Sequence, residues 1–145
     1  MTSISGNTPL GERRSRTTSA GDQCWLVEED GRVIGTITTD DCADEEFWRP
    51  EDDPDDALYL HRMVTIREVA GREIGSALLD WASRRAAALG KRWVRLDAWR
   101  SNPGLQRHYA NRGFQLVRTV ELPHRQSGAL FQRPARGAVE ARTPS

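Results

Sequence analysis

The feature that most constrains this chain is a double change of hydrophobic period between residues 57 and 99. The stretch ALYLHRMVTIRE (57–68) alternates in the manner of a strand, and it is followed by the glycine-containing turn Ala70-Gly71-Arg72-Glu73-Ile74-Gly75. Behind the turn, Ile74, Leu78, Trp81, Ala82, Arg85 and Leu89 fall on or near one helical face, and Gly90 stands where a C-cap belongs. RWVRLDAW (92–99) then returns to strand character. A strand, a crossover helix and a second strand are the usual way to join parallel neighbours. A parallel strand pair inside a larger sheet is therefore expected.

The flanking segments extend that sheet. Cys24–Glu28 and Arg32–Thr38 are β-prone runs separated by Glu29, Asp30 and Gly31, and the Asp-Gly pair is a strong hairpin signal. Asn102-Pro103 opens a short helix that Gly113 ends, with Pro103 in its first turn. FQLVRTVEL (114–122) and GALFQR (128–133) read as a final antiparallel pair. The expected order is strand, strand, strand, helix, strand, helix, strand, strand: an α/β fold whose mixed, mostly antiparallel sheet holds one central parallel pair. Residues 1–21, rich in Ser, Thr, Gly and Arg, read as a disordered leader, residues 22–134 as one domain, and residues 135–145 as a flexible tail. A chain of 145 residues supports one core and not two.

Charge narrows the function. The net charge is zero, but residues 40–56 carry ten acidic residues against Arg49 alone, and residues 57–145 carry sixteen Lys/Arg against six Asp/Glu. The acidic run reads first as a solvated loop, anchored by Phe47 and Trp48, and second as an attractor for a cationic amine. The basic C-terminal part should attract anions. Its arginines are scattered and form no stripe with interleaved aromatics, so a small polyanion fits better than nucleic acid. No apolar run approaches the roughly 18 residues of a membrane span. No secretory apolar core opens the chain, and Cys24 and Cys42 lack metal-ligand spacing, which together suggest a cytoplasmic protein without a metal.

The turn at 70–75 is the chemical focus. A strand, a tight turn and a helix start gather unpaired backbone N–H groups at the positive end of the helix dipole, which makes an anion site. The glycine spacing matches neither the phosphate loop nor the dinucleotide fingerprint. Two glycines alone would equally serve only to turn the chain.

With the wider order added, roughly residues 23–133 resemble the GNAT N-acetyltransferase family, whose acetyl-CoA segment reads [QR]-x-x-G-x-[GA] and whose next helix often ends Y-x-x-x-G-F. Tyr109-Ala110-Asn111-Arg112-Gly113-Phe114 matches the second motif completely. The first departs twice, with Ala70 at the Gln/Arg position and Glu73 at the first Gly. A left-handed backbone at Glu73 would cost about 1–2 kcal/mol, and its carboxylate about 5 Å from a solvated phosphate roughly another 1 kcal/mol. Together they weaken binding about ten- to a hundredfold.

The resemblance implies an acyl-CoA N-acyltransferase fold, acetyl-CoA as co-substrate, and a small-molecule amine as acceptor. It places Ala70, Gly71, Arg72, Glu73, Ile74, Gly75 and Ser76 on the pyrophosphate, and backbone amides of Met63, Val64 and Thr65 along the pantetheine arm. Tyr109 is the implied general acid, because its phenol holds a proton at neutral pH; a Tyr that merely packs a helix face is the ordinary alternative. His61 and Asp97 are base candidates on the strands flanking the thioester, each equally readable as structural. Asn102 could bond the CoA arm or cap the helix. Members of the family generally begin with a strand and two helices before the hairpin, and the leader stands in their place, so an N-terminally truncated fold with an open acceptor pocket is expected, which a second copy in a homodimer could complete. A truncated protein that binds CoA or a protein partner without efficient catalysis is the alternative function.

Overall fold

The computed structural model describes residues 2–6, 23–65 and 74–135. Seven strands form one sheet: β1 (Thr2–Gly6), β2 (Gln23–Glu29), β3 (Arg32–Asp40), β4 (Ala57–Thr65), β5 (Trp93–Trp99), β6 (Gln115–Thr119) and β7 (Ser127–Pro134). Helix α1 (Ile74–Ala88) joins β4 to β5, and α2 (Pro103–Ala110) follows β5. The strand order is β1-β2-β3-β4-β5-β7-β6. Every neighbouring pair is antiparallel except β4 and β5, as the crossover requires. β7 inserts between β5 and β6, an order the sequence pattern did not specify.

The β2–β3 hairpin turns at Asp30 and Gly31, both left-handed at φ 53° and 83°. Positive φ at both central residues gives the turn whose twist matches the flanking strands, which is why Asp-Gly signalled it. Helix α1 ends on Gly90 (φ 78°), with Gly90 N–H on Ala87 O and Lys91 N–H on Ala86 O, a Schellman motif. Its buried stripe is Ile74, Leu78, Leu79, Ala82 and Ala86. Trp81 and Arg85 lie at its margin and Leu89 is 45% exposed, so the expected face is rotated toward Leu79 and Ala86.

Two apolar layers cover the sheet. On one side α1 and Tyr109 of α2 pack on Leu58, Leu60, Val94 and Leu96. On the other, Phe47 and Trp48 pack on Ala57, Tyr59 and Leu130. Strand alternation assigns β4 residues to these layers in turn.

The leader expectation is corrected at its start. Thr2–Gly6 is an edge strand whose register runs from Thr2 opposite Glu29 to Gly6 opposite Trp25. Five residues are too few to show a periodic pattern, and pairing with β2 supplies backbone partners that local sequence cannot reveal. At the other end, Pro134 closes β7 and Ala135 N–H bonds Arg92 O, so the body extends to Ala135.

The acidic segment is a clamped strap. Arg118 pairs with Asp52, Arg125 with Asp44 and Glu46, and Arg92 with Asp56. Buried Arg95 donates to Asp52 O at 2.5 Å and Tyr59 Oη at 3.1 Å while its guanidinium stacks 4.7 Å over Trp48. Much of the run's charge is thus neutralised by arginines of β5, β6 and the β6–β7 connection. The solvated-loop reading holds for Glu45 and Glu51, but Phe47 and Trp48 are core.

Candidate active site

β4 and β5 pair only through Ala57–Trp93, Leu58–Val94 and Tyr59–Arg95, and then part. Beyond Tyr59, the β5-facing edge of β4 has no ladder partner among the described residues. One extra β4 residue stands between the pairs Thr36–Val64 and Thr38–His61, a bulge with Arg62 left-handed at φ 53°. Parting strands and bulge together open a cavity of about 240 Å³.

The cavity has an apolar and a polar half. Leu60, Met63, Leu79 and Leu96 belong to or pack on the helix-side layer, while alternation turns His61 and Asp97 toward the opposite face. Arg62 and Tyr109 complete the lining. The opening therefore lies between the two faces of the sheet, with Leu79 of α1 on one side and titratable groups on the other.

Tyr109 is 9% exposed, and its ring packs against Phe114 and Phe131 at centroid distances of 5.7 and 6.0 Å. Burial pushes its phenol above the usual 10.0, and the negative charge of Asp97 adds to the shift. The phenol is therefore a proton donor across neutral pH. Ser127 Oγ donates to Asp97 Oδ2 in a short contact from β7. His61 Nε2 lies 3.8 Å from Asp40 Oδ2 on β3. Asp40 Oδ1 in turn accepts Cys42 N–H at 2.9 Å.

Of the residues singled out in the sequence, the fold brings His61, Met63, Asp97 and Tyr109 to one cavity. Val64 and Thr65 continue β4 opposite Thr36 and Gly35, with the Val64 side chain 58% exposed. Ala70, Gly71, Arg72 and Glu73 lie outside the described residues. Ile74 is buried in the core, and Gly75 and Ser76 are half-buried at the start of α1. Asn102 is not among the cavity residues; its Oδ1 accepts Leu105 N–H at 3.0 Å and caps α2, the second of its two expected roles. Trp99, an aromatic at a strand end, is 54% exposed and also outside the lining.

Local sequence does not mark Asp40 or Ser127 as site residues. Asp40 was one of ten acids in a run, and only its place as the last residue of β3 distinguishes it. No local signal separates Ser127, the first residue of β7, from other serines.

A sheet with one short parallel pair that parts over a lined cavity, a crossover helix packed against it through Leu79 and a buried tyrosine within it define an acyl-CoA N-acyltransferase fold. The sequence matches the acetyltransferase (GNAT) family over residues 5–114, and the chain belongs to that family. It is 27% identical over 90 residues to YesJ of Bacillus subtilis strain 168, described as an uncharacterized N-acetyltransferase; the match covers 62% of this chain and 49% of the relative, so the chain spans about half that protein's length. Among solved structures it resembles a GNAT-family acetyltransferase from Listeria monocytogenes (TM-score 0.65, 24% identity, 77% of this chain and 63% of that one). It also resembles aminoglycoside acetyltransferase AAC(6')-Ib in complex with coenzyme A and kanamycin (TM-score 0.64, 17% identity, 79% of this chain and 67% of that one). At these identities the structures share the fold. No described helix is long and apolar enough to cross a membrane.

Proposed function

We propose that the protein transfers the acetyl group of acetyl-CoA directly to an amine of a small molecule, with Tyr109 as general acid. The observation that carries this reading is the buried, proton-retaining phenol of Tyr109 lining the same cavity as His61 and Asp97. Family membership supplies the chemistry in which such an arrangement has a use. The aminoglycoside acetyltransferase of the same fold supports coenzyme A as the donor carrier and a small amine as acceptor.

An alkylamine with a reference pKa near 10.4 is mostly protonated at pH 7, so it must lose a proton before attack. An imidazole is the better-matched acceptor for that proton, which assigns His61 the base role; the Asp97 carboxylate draws in the ammonium and orients it. The amine nitrogen then attacks the thioester carbonyl, the carbon–sulfur bond breaks, and Tyr109 protonates the departing thiolate. The second proton leaving the acylated nitrogen restores the Tyr109 phenol, and His61 releases the first to water. The products are the N-acetylated amine and free CoA. The β5-facing edge of β4 around Met63, Val64 and Thr65, which has no ladder partner among the described residues, offers backbone groups to the pantetheine arm. The start of α1 takes the pyrophosphate, in keeping with the family motif that covers residues 70–76. A cavity of about 240 Å³ falls below the roughly 300–1,000 Å³ of drug-sized sites. It therefore takes the reacting ends of the two substrates and not a whole large acceptor.

Ala70 and Glu73, the two departures in the CoA motif, weaken the donor site and so give weight to a second reading: a family member that binds CoA or a protein partner without efficient catalysis. Calorimetric titration with acetyl-CoA, combined with a broad amine screen that follows thiol release, separates the two. Binding with amine-dependent release of thiol supports transfer. Binding without release for every amine leaves the second reading, and the absence of binding removes transfer and the CoA-binding form of the second reading.

A further inference from the structure

We infer that Asp40 is the positioning residue for His61, so that the base of this site is a carboxylate–imidazole pair built across β3 and β4. The inference rests on the reading of the cavity as a transferase site with His61 as its base.

Backbone register makes the pairing. Thr38 stands opposite His61 and Asp40 opposite Tyr59, so Asp40 is the diagonal neighbour of His61 on the same face of the sheet. Its Oδ2 lies 3.8 Å from His61 Nε2. That is ion-pair range, and catalytic contacts of this kind commonly tighten once substrate is bound. The two groups also differ in exposure as a positioning pair requires. The Asp40 side chain is 12% exposed and that of His61 36%, so the carboxylate is fixed in the wall while the ring reaches the cavity. The carboxylate is itself held, since Oδ1 accepts the Cys42 N–H at 2.9 Å.

The chemical consequence concerns which nitrogen carries the proton. A carboxylate facing Nε2 keeps the proton on that nitrogen and leaves the Nδ1 lone pair to accept the proton of the incoming ammonium. As Nδ1 becomes protonated, the imidazolium gains a negative partner at no reorganisation cost. Asp40 touches neither substrate in this arrangement and acts only through His61. Asp97 remains across the cavity as the group that attracts the amine.

The test compares wild type, Asp40→Asn, His61→Gln and the double variant on the full chain, with an amine that the screen identifies as acceptor. Asn keeps an oxygen for the Cys42 N–H, and Asp40→Glu restores the charge if Asn perturbs the strand end. Acetyl-CoA affinity by calorimetry reports whether each variant is folded. We expect Asp40→Asn to lower kcat about tenfold, a part of the roughly 10²–10⁴-fold that a positioned base contributes, with the KM for acetyl-CoA unchanged and Asp40→Glu recovering part of the loss. In the His61→Gln background the Asp40→Asn change should then have no further effect on kcat, a non-additivity that a merely structural residue would not show. Full kcat in Asp40→Asn beside a crippled His61→Gln overturns the positioning role and leaves His61 as base. Full activity in His61→Gln overturns the base reading and the pair with it. Equal, additive losses from the two changes would place Asp40 in the fold and not in the reaction.

Discussion

Arg118 on β6 grips Asp52 with both guanidinium nitrogens, Nη1 to Oδ2 at 3.0 Å and Nη2 to Oδ1 at 2.7 Å, across 66 residues of sequence. Arg118 Nη1 also donates to Phe47 O at 3.2 Å, and Arg95 holds the Asp52 carbonyl from β5, two strands away. A two-pronged pair with additional backbone bonds is the geometry in which an ion pair contributes to stability and not only to surface decoration. It pins the acidic strap so that Phe47 and Trp48 stay over the sheet.

Arg118→Ala should therefore destabilise the protein by about 1.5–3 kcal/mol, the range for hydrogen bonds to charged groups. Denaturant unfolding checks it. The pair also has a pH signature, because the Arg118 hydrogen bonds hold the Asp52 carboxyl below the usual 3.8. A depressed folded-state value stabilises the native protein above the unfolded value and loses that contribution as pH falls through the folded one. Wild type should accordingly lose stability below about pH 3.8 more steeply than Arg118→Ala does, and equal acid slopes would contradict the pairing.

Tyr109→Phe removes the proposed acid and nothing else that the packing needs, since the ring contacts with Phe114 and Phe131 persist. The expected result is a kcat lowered about a hundredfold or more, the usual yield of a positioned acid, with acetyl-CoA affinity unchanged. Steady-state kinetics beside calorimetry distinguishes this from a binding defect. Undiminished kcat would make Tyr109 a packing residue.

Alkaline pH should destabilise the fold through two phenols. Tyr59 and Tyr109 both titrate above the usual 10.0, each chiefly because burial disfavours the phenolate. A raised folded-state value contributes stability that is fully present below the unfolded value and is lost as pH rises through the folded one. Unfolding free energy should thus fall as pH climbs past about 10, and Tyr59→Phe or Tyr109→Phe should flatten that decline. Denaturant titrations between pH 8 and 11 measure it.

Gly128 on β7 has no room for a side chain. A Cβ built there would stand 2.0 Å from the Val120 carbonyl oxygen, and Val120 N–H bonds the Gly128 carbonyl at 2.8 Å, so the two backbones cannot separate without breaking the link between β7 and the chain after β6. Gly128→Ala should cost about 3 kcal/mol, the upper end of overpacking. A thermal melt indistinguishable from wild type would contradict this contact.

Local chemistry made much of this legible in the sequence. The Asp30-Gly31 turn, the Gly90 cap and the Pro103 helix start are decided by backbone sterics of a few adjacent residues, which travel with the sequence wherever it folds. The crossover from β4 through α1 to β5 forced one parallel pair for the same reason. The Tyr109-to-Phe114 motif pointed to the family because that spacing sets a tyrosine beneath the helix end, where Phe114 packs on it.

What the sequence left open depended on partners distant along the chain. That Thr2–Gly6 is a strand follows only from its ladder with β2. That the acids of residues 40–56 face arginines from β5 and β6 follows only from the order β5-β7-β6. The parting of β4 from β5, the bulge at Arg62 and the meeting of Asp40 with His61 are matters of register, and register is fixed by which face of each strand is buried against the rest of the molecule. Sequence determined that this chain builds a crossover sheet with a tyrosine near its parallel pair; tertiary structure decided which charged groups share that cavity, because side chains on separate strands acquire a common environment only when the sheet closes.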